Sequence, residues 1–171
     1  MIATLFASLA IATAQPVTEE SAVHGVSFEH ARDLQTKPCF EQPTPCIIVF
    51  DPAAESWIAE LFRITVYDGS LESVAAEQAG FVRREDGSLW TTYGRFMPVR
   101  VEALEINGHR ALRATNSCGI SDPENGFHAG AGVCLTVVIS DGNRTAILDS
   151  SGYPNGLEAA EAALPSIRVL P

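Results

Sequence analysis

Residues 101–114 read VEALEINGHRALRA, two segments of mixed apolar and charged side chains on either side of Asn107-Gly108. Asn-Gly is the dipeptide best suited to the two positive-φ positions of a type I′ turn, so this stretch predicts a β-hairpin with a two-residue loop. The register follows at once. Ile106 faces His109, Glu105 faces Arg110, Ala103 faces Leu112, Glu102 faces Arg113 and Val101 faces Ala114. Two opposite-charge pairs fall directly across from each other, each worth about 0.2–1 kcal/mol.

A second hairpin joins Leu135–Ser140 to Thr145–Ser150. With Gly142-Asn143 as its loop, Ile139 faces Ala146 and Val137 faces Leu148, giving one apolar face. Slipping the loop to Asp141-Gly142 sets Ile139 against Arg144, so the first register is preferred. Between and around the hairpins lie helix signals. Asp51-Pro52 reads as an N-cap with proline at the first helical position, and Ala54, Trp57, Ile58, Leu61 and Phe62 recur at helical spacing. That helix is expected to run into a strand over 63–67. Ser70 can cap a helix carrying Leu71, Val74, Ala75 and Ala79, closed by Gly80, and Asp86-Gly87 marks a turn before a strand at 89–93. Asn155 can cap a last helix over 156–164, with Glu158 near its positive end, before Pro165 stops it and 166–170 extends. The expected class is α+β: an antiparallel sheet built from hairpins, flanked by two or three short helices.

The chain has 171 residues and a formal net charge of −10, with Lys37 as the one lysine among 11 cationic side chains. Met1–Ala14 carries no charged side chain and ends in Ala12-Thr13-Ala14 before Gln15, which reads as an export signal with a small-residue cleavage site. Its apolar run, Ile2–Ala12, is shorter than the roughly 20 residues a membrane span needs. No second such run follows, so no transmembrane segment is expected after signal cleavage. The expected organisation is a signal peptide at 1–14, a polar, proline-bearing N-terminal extension at 15–45, and a single α+β domain at 46–171. The expected compartment is the periplasm or the exterior.

The run Phe62-Arg63-Ile64-Thr65-Val66-Tyr67, the hairpin Ile106-Asn107-Gly108-His109-Arg110-Ala111, the strand Cys134–Ser140 and the closing Ser166-Ile167-Arg168-Val169 resemble, in element order, the Mog1/PsbP-like superfamily. The resemblance covers about residues 60–170 and rests on apolar patterning without a diagnostic motif. Members of that group are generally non-enzymatic interaction proteins. The resemblance therefore implies a binding role and transfers no functional residue.

The four cysteines, Cys39, Cys46, Cys118 and Cys134, allow three connectivities. In an exported chain they are read first as disulfides, and the most economical pairing is local, Cys39 with Cys46 and Cys118 with Cys134. The chain-entropy estimate gives about 2.5 kcal/mol for the shorter ring and about 3 kcal/mol for the longer. A zinc or dithiol centre would bring its cysteines in CxxC pairs, which are absent. The second bridge ties a glycine-rich loop, Gly119–Gly132, at its base. That loop is the candidate binding surface: Phe127 beside His128 as an aromatic anchor, Asp122 and Glu124 as an acidic rim, and Asn125 between them. Asp122 begins a calcium-loop-like run, but Val133 stands where a bidentate Glu would be needed.

No GxSxG, HExxH, P-loop or GxGxxG motif is present, and no cofactor or metal is expected. His24 and His30 fall in the polar extension as solvated histidines, His109 is a turn residue, and a thiol-imidazole pair of Cys118 with His128 would require a free Cys118. Trp57 and Trp90 read as core. The acidic balance argues against nucleic acid, whose phosphates need a basic footprint, and points instead to a basic protein partner. The expected function is an exported non-enzymatic protein-binding domain, in its sharpest form an inhibitor or immunity protein for a basic envelope-targeting enzyme. The alternatives are a small periplasmic hydrolase and a small-ligand or envelope-assembly module.

Overall fold

The computed structural model describes residues 15–39, 44–55, 58–93, 96–122, 126–153 and 155–170, without the side chains of 120–122 and 127–131. In chain order the elements are β1 (Val17–Ser21), β2 (Val26–His30), β3 (Gln35–Pro38), β4 (Cys46–Phe50), β5 (Glu60–Asp68), α1 (Leu71–Glu77), β6 (Val82–Arg83), β7 (Leu89–Thr91), β8 (Val99–Arg100), β9 (Glu102–Ile106), β10 (His109–Asp122), β11 (Phe127–Ser140), β12 (Arg144–Ser150), α2 (Gly156–Ala163), a 3-10 turn (Leu164–Ser166) and β13 (Arg168–Val169). Seven strands pair in the order β3-β4-β5-β12-β11-β10-β9. Two three-stranded sheets, β1-β2-β13 and β6-β7-β8, accompany it, and every pairing is antiparallel. The α+β class stands.

Both hairpins form in the expected registers. Asn107 and Gly108 take φ of 51° and 79°, and Ile106 faces His109 through to Glu102 facing Arg113. The ladder stops there, because the Val101 N–H donates to the Leu89 carbonyl at 2.8 Å instead of pairing with Ala114. Ile139 faces Ala146 and Val137 faces Leu148. The cross-strand charge pairs take other partners. Arg110 reaches Glu72 on α1 at 2.6 Å and Arg113 reaches Glu161 on α2, since neighbouring positions on one strand point to opposite faces.

Those two arginines mark the two covered faces of the central sheet. On one, Ile64, Leu135, Val137 and Leu148 pack against Ala160 and Ala163 of α2, Ile167, and Val26 and Phe28 of β2. On the other, Leu112, Val138 and Ile147 pack against Leu71, Val74 and Ala75 of α1 and against Phe81 and Val101. Ser70 caps α1 as expected, its Oγ accepting from the Ser73 N–H at 3.4 Å. Gly80, at φ 65°, turns the chain so that the Phe81 N–H reaches the Ala75 carbonyl at 2.9 Å.

Four sequence expectations are corrected. The segment 15–45 is not an extension ahead of the domain: it supplies β1, β2 and β3, and Val26 and Phe28 are 0% exposed. His30 is accordingly buried, not solvated, with its ring 6.0 Å from Phe28 and its Nδ1–H donating to the Ala31 carbonyl at 2.8 Å. Among the described residues no helix follows Asp51-Pro52. Leu61 and Phe62 belong to β5, and Asp51 closes the β4–β5 connection by accepting the Ala53 N–H at 2.8 Å and donating its own N–H to the Ala59 carbonyl at 2.9 Å. Antiparallel pairing with β4 outweighs the helical spacing there, and Trp57 lies outside the described residues. At α2, Asn155 occupies the capping position at φ 69° but its side chain makes no capping bond.

Candidate functional site

β10 and β11 are 14 residues each, longer than the strands beside them. β9 leaves β10 at Arg113, and β12 leaves β11 at Thr136. Beyond those points the two strands continue as a ribbon of their own, carrying most of the segment expected to be a loop. Gly119–Gly132 is therefore largely β-hairpin, with a bulge between Cys118 and Ile120. Its glycines serve close packing as well as turning: Gly132 is buried, and a β-carbon there would sit 2.7 Å from the Gly152 Cα.

An isolated two-stranded ribbon is marginal in water. This one is braced by the Cys118–Cys134 disulfide, with a Cα separation of 5.8 Å. The bridge is diagonal, because Cys118 faces Gly132 and Cys134 faces Asn116. The other bridge, Cys39–Cys46, has a Cα separation of 5.3 Å and closes the β3–β4 connection. Both pairings are the local ones expected, and all four thiols are consumed. Of the expected binding residues, Asp122 faces Phe127 and Ser121 faces His128 near the ribbon's tip. Their side chains, with all of Glu124 and Asn125, lie outside the described residues.

At the ribbon's base, on the α1 side of the central sheet, opens a cavity of about 680 Å³ whose lining includes Glu60, Arg63, Asn116, Thr136, Asp149 and Tyr153. Strand alternation places three of these in a row: Arg63 on β5 faces Asp149 on β12, which faces Thr136 on β11. The Thr136 hydroxyl donates to Asp149 Oδ1 at 2.7 Å. Arg63 turns away, its Nε and Nη2 donating to Glu60 Oε1 at 2.8 and 2.6 Å. Burial pushes the Asp149 carboxyl above the usual carboxylate range, with the Thr136 hydrogen bond and the Arg63 charge pulling the other way. On the same strand as Arg63, the Tyr67 phenol is raised by burial and then by the Asp149 charge. A titratable group perturbed by burial inside a cleft marks a candidate site.

That perturbation has a sign that can be measured. With its pKa raised on folding, Asp149 keeps its proton in the native state at pH values where the unfolded chain has released it. Its contribution is therefore fully present below the unfolded pKa and is lost as pH rises through the folded one. Asp149→Asn retains an acceptor for Thr136 and removes the penalty. Chemical denaturation should find the variant more stable than the parent at pH 7, with the gap closing as pH falls below the ordinary carboxylate range. A variant no more stable than the parent at pH 7 contradicts this account of the carboxyl.

None of Arg63, Thr136 and Asp149 was singled out from the sequence. The available signal was a lone carboxylate at the end of the apolar run Ala146-Ile147-Leu148. A second groove, of about 520 Å³, runs between β2 and α2, with Glu29, Asp33, Asp51 and Glu158 around Leu34 and Leu61. Among the described residues no lysine or arginine lines it.

The sheet order, the two helices and the covered faces define a PsbP-like α+β fold. The chain is similar to the solution structure of cyanobacterial PsbP (CyanoP) from Synechocystis sp. PCC 6803, at 10% identity and a TM-score of 0.55 over 96% of this chain and 98% of that one. It is also similar to a crystal structure from Bacteroides thetaiotaomicron VPI-5482, at 11% identity and a TM-score of 0.51 over 86% of this chain and 46% of that one. It thus spans about half the length of the Bacteroides protein, and identities this low concern the fold alone. No protein-family model and no curated protein matches the chain. The two disulfides fit an extracytoplasmic location. No helix among the described residues is long and apolar enough to cross a membrane.

Proposed function

We propose that this protein is exported to the periplasm or the exterior and acts there as a non-enzymatic domain binding a basic partner protein, as an inhibitor or immunity protein for a basic envelope-targeting enzyme. The observation that carries the reading is Asp149. It is a desolvated carboxyl that accepts a hydrogen bond from the Thr136 hydroxyl, and its neighbouring arginine is engaged by Glu60. A lysine or arginine of the partner, entering the cavity beside the braced ribbon, would add a counter-charge to that of Arg63 and favour the ionised form. The net charge of −10 and the acidic groove beside α2 favour the same class of partner and speed its approach.

The test uses the chain from Gln15 as bait in envelope and secreted extracts of its source, at low and moderate salt, with Asp149→Asn in parallel. The expected result is one near-stoichiometric basic protein, released by salt and held at least about thirtyfold more weakly by the variant. That is the low end of what removing one member of a buried charge pair costs, about 2–5 kcal/mol. No captured protein, an acidic one, or equal retention by Asp149→Asn overturns the reading.

A further inference from the structure

We propose that a separate groove, beside the N-terminal half of α1, binds a small organic anion with an apolar body. This goes beyond the protein-binding reading and does not depend on it. The groove encloses about 460 Å³, within the range of small-molecule sites. Its floor is the second core: Leu71 and Ala75 of α1, Phe81, and Leu112 of β10. Its rim carries Arg83, Arg100 and Arg110 against one lining carboxylate, Glu72. In a chain of net charge −10, three of the 11 cationic side chains thus surround one apolar-floored depression.

The three guanidinia are placed differently. Arg110 is tied to Glu72 at 2.6 Å, which leaves Glu72 neutralised. Arg83 lies along the β6–β7 turn, its Nη1 donating to the Gly87 carbonyl at 2.9 Å. Arg100 makes no side-chain hydrogen bond or ion pair among the described residues, so its full fork of donors is free for an incoming carboxylate or sulfonate. Asp86, the carboxylate on the adjoining turn, accepts the Ser88 N–H and hydroxyl at 2.9 and 2.6 Å, and its charge also acts on Arg84 and Arg100 without a direct ion pair. Positive rim and apolar floor together select an amphiphilic anion over an inorganic one.

The probes are 8-anilinonaphthalene-1-sulfonate and its uncharged relative N-phenyl-1-naphthylamine, titrated by fluorescence into the folded chain from Gln15. The sulfonate should bind saturably at one site, weaken with salt, and be displaced by decanoate but not by decanol. Arg83→Gln/Arg100→Gln leaves the Arg110–Glu72 pair intact and should weaken the sulfonate at least tenfold, with circular dichroism and melting unchanged. Arg32→Gln/Arg168→Gln removes the same charge elsewhere and should leave its affinity within twofold. N-phenyl-1-naphthylamine should not distinguish the variants. No saturable sulfonate binding, equal binding by the groove variant, or equal loss in the control variant overturns the site.

Discussion

Phe28→Ala is expected to lower the unfolding free energy by about 3–5 kcal/mol, the cost of emptying a buried phenylalanine position. Phe28 is 0% exposed and meets the Phe62 ring edge-on, with centroids 6.0 Å apart and planes at 68°. It comes from β2, the strand that β1 and β13 enclose, so the variant tests whether the polar beginning of the chain belongs to the core. Urea denaturation followed by circular dichroism reads the result. A loss below about 1 kcal/mol, typical of a surface change, would detach β2 from the fold and dissolve the acidic groove with it, since Glu29 and His30 follow Phe28 directly.

Opening the ribbon's brace should be nearly as costly, and more local. Cys118→Ala/Cys134→Ala removes a ring closed across a sequence separation of 16, worth about 3 kcal/mol. The ribbon past Arg113 and Thr136 has no flanking strand among the described residues, so it should open by itself before the sheet does. Amide exchange over 114–135, read by mass spectrometry, should accelerate about 100-fold, the kinetic image of that free energy. Exchange in β5 and β12 should change far less. Unaltered exchange in the ribbon would mean that backbone pairing alone holds it, and the brace would lose its place in the binding argument.

The contrast between the two halves of the chain explains what could be read in advance. Asn107-Gly108 fixes its hairpin because both residues accept positive φ, and Gly142-Asn143 because only that loop keeps Ile139 and Val137 on an apolar face. Ser70 works for the same local reason. The alternation Val26-Ser27-Phe28-Glu29-His30 carried an equally local strand signal, but it was outvoted by the polar composition around it. At 52–62 two periods competed, and the β4 partner decided between them.

The candidate site shows the same division more sharply. Cysteine spacing alone pointed to Cys118–Cys134, and with it to the neighbourhood of the cavity. The importance of Asp149 could not be read there, because a carboxylate is unusual only once burial is known. Turn chemistry, hairpin registers and helix capping by Ser70 were determined by the sequence by itself, each within a stretch of fewer than about 20 residues whose φ preferences or loop lengths leave few alternatives, while for the disulfides the sequence favoured the local pairing among three that were open. Tertiary structure alone decided that residues 17–38 form three strands and bring Val26 and Phe28 into the core, that 60–62 are strand, and that Arg63, Asp149 and Thr136 stand in one row at a cavity. Those outcomes depend on which strands meet across the sheet, and that pairing is settled by burying apolar surface between segments far apart in the chain.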